Sequence, residues 1–297
     1  MILNSNRKMK KVLLGGFFLA PIFIFYGLFY LLPLIRGIIM SFTNWHGSSV
    51  NYTFIGFKNY YDAIFADPFF KTSIATTFKF AALNIILTNS IAMCFALGLT
   101  IKFKLNHLIR TAIFLPNMIS MVVVGFLWRF VFNGISPELE KLTNIDFFGT
   151  LWLSAYPIVI YSIVIVSIWH GVGYIMTIYI AGLEGVDDNI VEASVIDGAN
   201  AWTQFWKIKL PMMKRIFAMG FFINVVGSLK IFDLIISLTA GGPGRSSEVA
   251  MINIYREAFV NNQLGYGAAK SILLTLLIVL FALIQVSFSR RKNDAAN

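Results

Sequence analysis

Two polar patches lie inside otherwise apolar runs, and they carry the side chains best suited to handle a solute. In one, Ser167, Trp169, His170 and Tyr174 set aromatic faces beside hydrogen-bonding groups, with Gly171 and Gly173 between them. In the other, Asn224 and Ser228 stand at i, i+4 spacing. The mixture suits a polyhydroxyl ligand, whose C–H faces stack on rings and whose hydroxyls need donors and acceptors. It equally suits tight helix packing around the two glycines, with Trp169 at an interface. Lys230 and Asp233 follow in the second run, three apart and near enough on one helix to form an ion pair. A charge facing lipid costs at least a few kcal/mol, so the two either pair or line a polar path. Asn84 and Asn89 read as interhelical hydrogen-bonding groups, and Arg129, Lys79 and Lys270, near the ends of apolar runs, as snorkelling side chains.

Little else here does covalent chemistry. Cys94 is the single cysteine and sits in an apolar run, which leaves neither a disulfide nor a thiolate metal site. His46, His107 and His170 are scattered over an outer loop, an inner loop and a span. His170 with Ser167 is a thin candidate for a base and nucleophile, and the sequence has no G-x-x-x-x-G-K-[ST], G-x-S-x-G or H-E-x-x-H motif. We therefore expect no catalytic residue, no metal and no cofactor in this chain.

The elements that must position these residues are membrane spans. Apolar residues make up 58% of 297 positions and charged residues 13%, which is an integral membrane composition. Runs long enough to cross a hydrocarbon core occur near 12–35, 76–101, 111–132, 156–181, 216–238 and 268–289. An all-α membrane protein of about six helices follows, with short connections and no internal repeat. The first run is too long for a signal peptide and no small-x-small site follows it, so it is expected to be retained.

The net charge of +10 is concentrated on one side. Arg7, Lys8, Lys10, Lys11, Lys102, Lys104, Arg110, Lys207, Lys209, Lys214, Arg215, Arg290, Arg291 and Lys292 all fall there. On the other side Asp62, Asp67, Glu138, Glu140, Asp146, Glu248 and Glu257 outnumber Lys58, Lys71, Lys141, Arg245 and Arg256. The positive-inside rule places both termini, 1–11 and 290–297, in the cytoplasm. The charge thus encodes orientation, and no nucleic acid is expected.

A charged island, 182–215, separates the fourth and fifth runs. Asn189 with Glu192 three residues on reads as a capping box that starts a short helix, and Gly198 as its left-handed C-cap. Ala201, Trp202, Phe205 and Trp206 then cluster on one apolar face. Such exposed aromatics need a cover, either lipid headgroups or a partner protein. The island's Glu192-Ala193-Ser194-Val195-Ile196-Asp197-Gly198-Ala199, with Ile208, Leu210 and Pro211 beyond, resembles the EAA loop of ABC importer permeases. Ser194 stands where that motif usually has Ala.

The resemblance covers most of the chain. Phe54-Ile55-Gly56-Phe57-Lys58-Asn59-Tyr60, Leu115-Pro116, Ile168-Trp169-His170-Gly171-Val172-Gly173-Tyr174 and Leu238-Thr239-Ala240-Gly241-Gly242-Pro243 are similar to the MalF-like permeases of carbohydrate uptake, the inner membrane components of binding-protein-dependent transport systems. This implies the type I ABC importer permease fold, with a permease domain over 12–289. It also implies a coupling loop in which Glu192, Ala193, Asp197, Gly198 and Ala199 dock on an ATPase. It implies a sugar site of Ser167, Trp169, His170, Tyr174, Asn224 and Ser228. The implied partners are a second, MalG-like permease, two ATPase subunits that bind the ATP, and an extracytoplasmic solute-binding protein, in a bacterial plasma membrane. The solute stays open between an oligosaccharide and a non-sugar such as glycerol phosphate. A secondary transporter is the rival class, but it needs ion-coordinating groups deep in several spans, and only Lys230 and Asp233 qualify.

The charge asymmetry makes a direct prediction. Single cysteines at Asn6, Ala199 and Asn293, in a Cys94→Ser background, should react with impermeant maleimide only after cells are opened. Labelling of any of them in intact cells reverses the orientation.

Overall fold

A computed structural model describes residues 18–47, 51–101 and 104–294, with side chains through 287. The whole expected N-terminal tail 1–11 with its basic stretch 7–11, Lys102 and the side chains of Arg290, Arg291 and Lys292 lie outside what it describes. The described secondary structure is helical apart from one antiparallel bridge, Thr43 to Phe54. Spans long and apolar enough to cross a bilayer are α1 (Phe18–Ser41), α2 (Pro68–Leu99), α4 (Met121–Thr143), α5 (Ile158–Glu184) and the Leu264–Ser287 part of α11 (Leu264–Asp294). Shorter helices are α3 (Asn106–Phe114), α6 (Asp188–Ile196), α9 (Asp233–Leu238) and α10 (Ala250–Tyr255). A sixth crossing is divided. α7 (Ala201–Met212) and α8 (Lys214–Leu229) meet at 79° across Met213.

Two of the expected runs are interrupted, the third at a proline. The third run does not continue from 111 to 132, because Pro116 heads a tight turn, Leu115–Met118, and helix resumes only at Met121. The fifth run breaks at 230–232, between α8 and α9.

The chain forms two compact units. One takes in the described part of Met1–Asp67 with Ile254–Leu273. There Gly56 turns the chain at φ +62°, and the Asn59 amide donates to the Ser41 and Thr43 carbonyls at 2.9 Å each. These contacts give the Phe54–Tyr60 motif a local purpose. Gly265 is a close approach, since a Cβ there would lie 2.3 Å from the Thr43 carbonyl oxygen. Lys270 does not snorkel as expected for a residue near a span end. It is fully buried, its ammonium 2.6 Å from Asp67 and 3.6 Å from Glu257, and it lies over the Tyr266 ring. The Tyr266 hydroxyl donates to Asp67 at 2.9 Å. Two carboxylates at this depth pull the cation inward more strongly than the interface pulls it out.

The other unit comprises Pro68–Asn253 with the described part of Leu274–Asn297. Its centre is the packing of α2 on α5, with Ala92, Met93 and Ala96 against Val172, Met176 and Tyr179. A second core joins Phe80, Val124, Ile160, Ile163, Leu234 and Ile235. Small residues set the spacing. A Cβ at Gly125 would strike Ser237 at 1.9 Å, which lets α4 lie directly on α9.

The buried ion cluster yields a stability prediction. Lys270→Met removes the buried ammonium that Asp67 and Glu257 face and should cost about 3–5 kcal/mol. Thermal unfolding of the detergent-solubilised protein checks it. An unchanged transition would mean the cluster contributes nothing.

Candidate solute cavity and coupling loop

Helix breaks build the cavity. Between Met118 and Met121 the chain is extended at Ile119, and between Leu229 and Asp233 it leaves helical geometry altogether. A cavity of about 410 Å³ opens between these breaks and the middle of α5. Ser167, His170, Gly171 and Tyr174 line it from α5, Asn224 and Ser228 from α8, and Lys230 and Asp233 from the second break. Asn84, Thr88, Asn117 and Phe232 complete the wall. Asn117 is a residue that sequence reasoning missed. Its position directly after Leu115-Pro116 was the available signal.

The two glycines divide the alternatives between them. A Cβ at Gly173 would lie 2.2 Å from the Ile113 carbonyl oxygen, so this glycine serves helix packing. Gly171 has nothing within 4 Å and borders the cavity. Trp169 is a correction. It packs edge-on against Trp128, ring centroids 5.5 Å apart, on the core side of α5 and away from the cavity wall. One residue of helix turns a side chain by about 100°, so Trp169 and His170 cannot share a face.

His170 has a structural task as well. Its Nε2 lies 3.0 Å from the Ile119 carbonyl oxygen, which the first helix break has released from helical bonding. Across the cavity, the Asn84 amide donates to Ser228 at 2.9 Å and to Asn224 at 3.3 Å, while Ser228 donates to Asn224 at 3.1 Å. Asn84 is therefore interhelical, as its type suggested, and it also borders the cavity. Asn89 likewise accepts from the buried Tyr179 hydroxyl. The amide nitrogen of Asn224 is buried and has no hydrogen-bond partner among the described residues.

Lys230 and Asp233 do not form the ion pair that their spacing suggested. The spacing argument assumed one continuous helix, whereas Lys230 caps the end of α8 and Asp233 opens α9. Each is exposed at the cavity wall. Each also sits at the helix end whose dipole favours its charge, the cation at a C-terminus and the anion at an N-terminus.

The loop after α5 folds much as its sequence implies, with one shift. The N-cap of α6 is Asp187, whose carboxylate accepts from the Asn189 backbone N–H at 2.9 Å, rather than Asn189 itself. Asp187 has extended φ/ψ while Asn189 is already helical, and the residue outside the helix is the one able to cap it. Gly198 closes the turn at φ +83°, and Asn200 caps α7 by accepting from Thr203 N–H at 2.9 Å. Glu192, Ala193 and Asp197 are exposed and Ala199 is half-buried, while Val195 and Ile196 are 59% and 88% exposed.

Comparison with known proteins now places the chain. Residues 89–294 match the family model for the binding-protein-dependent transport system inner membrane component. The chain belongs to this family. It is 36% identical to the probable starch degradation products transport system permease protein AmyD of Thermoanaerobacterium thermosulfurigenes, over 93% of each chain. It is 30% identical to the multiple sugar-binding transport system permease protein MsmF of Streptococcus mutans, over 96% of this chain and 98% of that one. Its fold matches a chain of the bacterial alginate ABC transporter, solved in complex with an alginate pentasaccharide-bound periplasmic protein, with a TM-score of 0.83 over 96% of both chains at 20% identity. It is thus a multi-pass membrane permease of the ABC importer type, a family whose role is transport rather than catalysis.

The left-handed turn makes a graded prediction. Gly198 has open space where a Cβ would go, so substitution acts through backbone conformation alone. Gly198→Val should cost about 1–3 kcal/mol locally, whereas Gly198→Asn, which tolerates positive φ, should cost much less. Transport at matched membrane levels should therefore rank wild type, Asn, Val. Equal transport by all three would remove the turn from function.

Proposed function

We propose that this chain forms one half of the path through which an ATP-driven importer moves an oligosaccharide or related sugar handed over by an extracytoplasmic binding protein. The cavity carries the reading: it combines the Tyr174 ring, the Asn224 and Ser228 polar groups and two unpaired opposite charges at the break between α8 and α9. A polyhydroxyl solute offers both donors and acceptors, which suits Lys230 as donor and Asp233 as acceptor. The sugar-related names of AmyD and MsmF support the same class.

A second, MalG-like permease closes the path, and two ATPase subunits bind and hydrolyse the ATP. Glu192, Ala193, Asp197, Gly198 and Ala199 lie in the segment that docks on one ATPase, with Val195 and Ile196 as its apolar tip. Closure of the ATPases then moves α6 as a rigid lever, and the helix breaks let the cavity walls follow. Both termini and this loop are cytoplasmic, in a bacterial plasma membrane.

The cavity residues should separate from their neighbour in an uptake assay. Tyr174→Ala and Lys230→Met should each lower sugar uptake roughly tenfold at matched membrane levels, the loss of one stacking face or one charged hydrogen bond. Trp169→Ala should instead reduce the amount of folded protein. Wild-type uptake by both cavity variants would sink the assignment.

A further inference from the structure

A second and larger hollow lies beside the loop, away from the solute cavity. Its volume is about 1270 Å³. One wall is a stripe of α2, where Ser90, Cys94, Leu97 and Gly98 recur at helical spacing, with Ile101 just beyond the helix end. The facing wall is α7, with Trp202, Phe205, Trp206, Lys209 and Leu210 at the same period. Met93 and Phe217 contribute to the lining deeper in the core. The 79° bend between α7 and α8 holds the two walls apart.

This groove lies at the end of the α2 span beside the 182–215 loop, and its α2 wall is open, with Ser90, Cys94 and Gly98 all exposed. An apolar groove open at the bilayer boundary does not fill with water. Charge selects the occupant. Arg110, on the rim, is engaged by Glu184 at 2.8 Å and by the Leu99 carbonyl at 2.6 Å. Lys209 is half-buried and its ammonium has no ion-pair or hydrogen-bond partner among the described residues, so it is available to an anion. Trp202 and Trp206 contact each other at 5.6 Å and supply the amphipathic rings found at headgroup depth.

We infer that this groove holds one glycerophospholipid, with acyl chain along the α2 stripe and phosphate on Lys209, wedged beneath the bend that carries the coupling loop. Asp188, also on the rim, suits a headgroup ammonium, which distinguishes a phosphatidylethanolamine from a phosphatidylglycerol.

Gly98 allows a clean test, because a Cβ there meets nothing within 4 Å and a larger side chain grows into the groove. The full-length chain, expressed with its transporter partners, is equilibrated in detergent with phosphatidylethanolamine or phosphatidylglycerol, washed, and weighed intact by native mass spectrometry. Wild type should retain one phospholipid per chain. Gly98→Leu should retain roughly tenfold less, the equivalent of about two methylenes losing burial. Lys209→Gln should weaken retention while Lys209→Arg preserves it, and Asp188→Asn should weaken phosphatidylethanolamine selectively. Should Gly98→Leu not fold, Ser90→Leu fills the same groove two turns away. No retained lipid in wild type, or undiminished retention in the filled variants, overturns the inference. So does a benzophenone on Cys94 that crosslinks to the second permease in place of lipid, since the occupant is then protein.

Discussion

Within hydrocarbon, a chain must satisfy its own backbone polar groups or line a cavity where something else can. The interior of this permease follows from that constraint. Two of its helix breaks, around Ile119 and at 230–232, border the same cavity. At the first, His170 takes up the freed carbonyl. At the second, Lys230 and Asp233 sit on the two helix ends that the break creates, each favoured by the local dipole and neither spent on the other. Polarity is thereby delivered to one place in the span layer, at the wall of the cavity.

The loop beyond α5 uses different means. Side-chain caps at Asp187 and Asn200 and a left-handed Gly198 fix two short helices in sequence, so α6 can act as a stiff element although it has only 9 residues. Its tip exposes Val195 and Ile196, while Ser194 is buried with its hydroxyl donating to the Val191 carbonyl at 2.6 Å. The serine in place of the motif's usual alanine is accommodated, because its polar atom is satisfied within its own helix.

Membrane class, span number, the loop and its Gly198 turn were legible in the sequence, because hydropathy, capping residues and positive-φ glycine are local properties of the chain. The polar members of the cavity were legible as types too: Ser167, His170, Tyr174, Asn224 and Ser228 all line it. What the sequence could not supply was direction. Trp169 and His170 are neighbours in sequence and part company on the helix surface, and Gly171 and Gly173 look alike until one meets the Ile113 backbone and the other meets space.

Tertiary structure alone decided the fates of the charges. Lys230 and Asp233 have the spacing of an ion pair, and only the break between α8 and α9 separates them. Lys270 has the position of a snorkelling residue, and only the approach of Asp67 and Glu257, 203 and 13 residues away in the chain, buries it. Hydrophobic period and capping act over one or two turns and are written in adjacent residues. The energy of a charge in a membrane depends on which distant groups reach it, and that is settled when the helices pack.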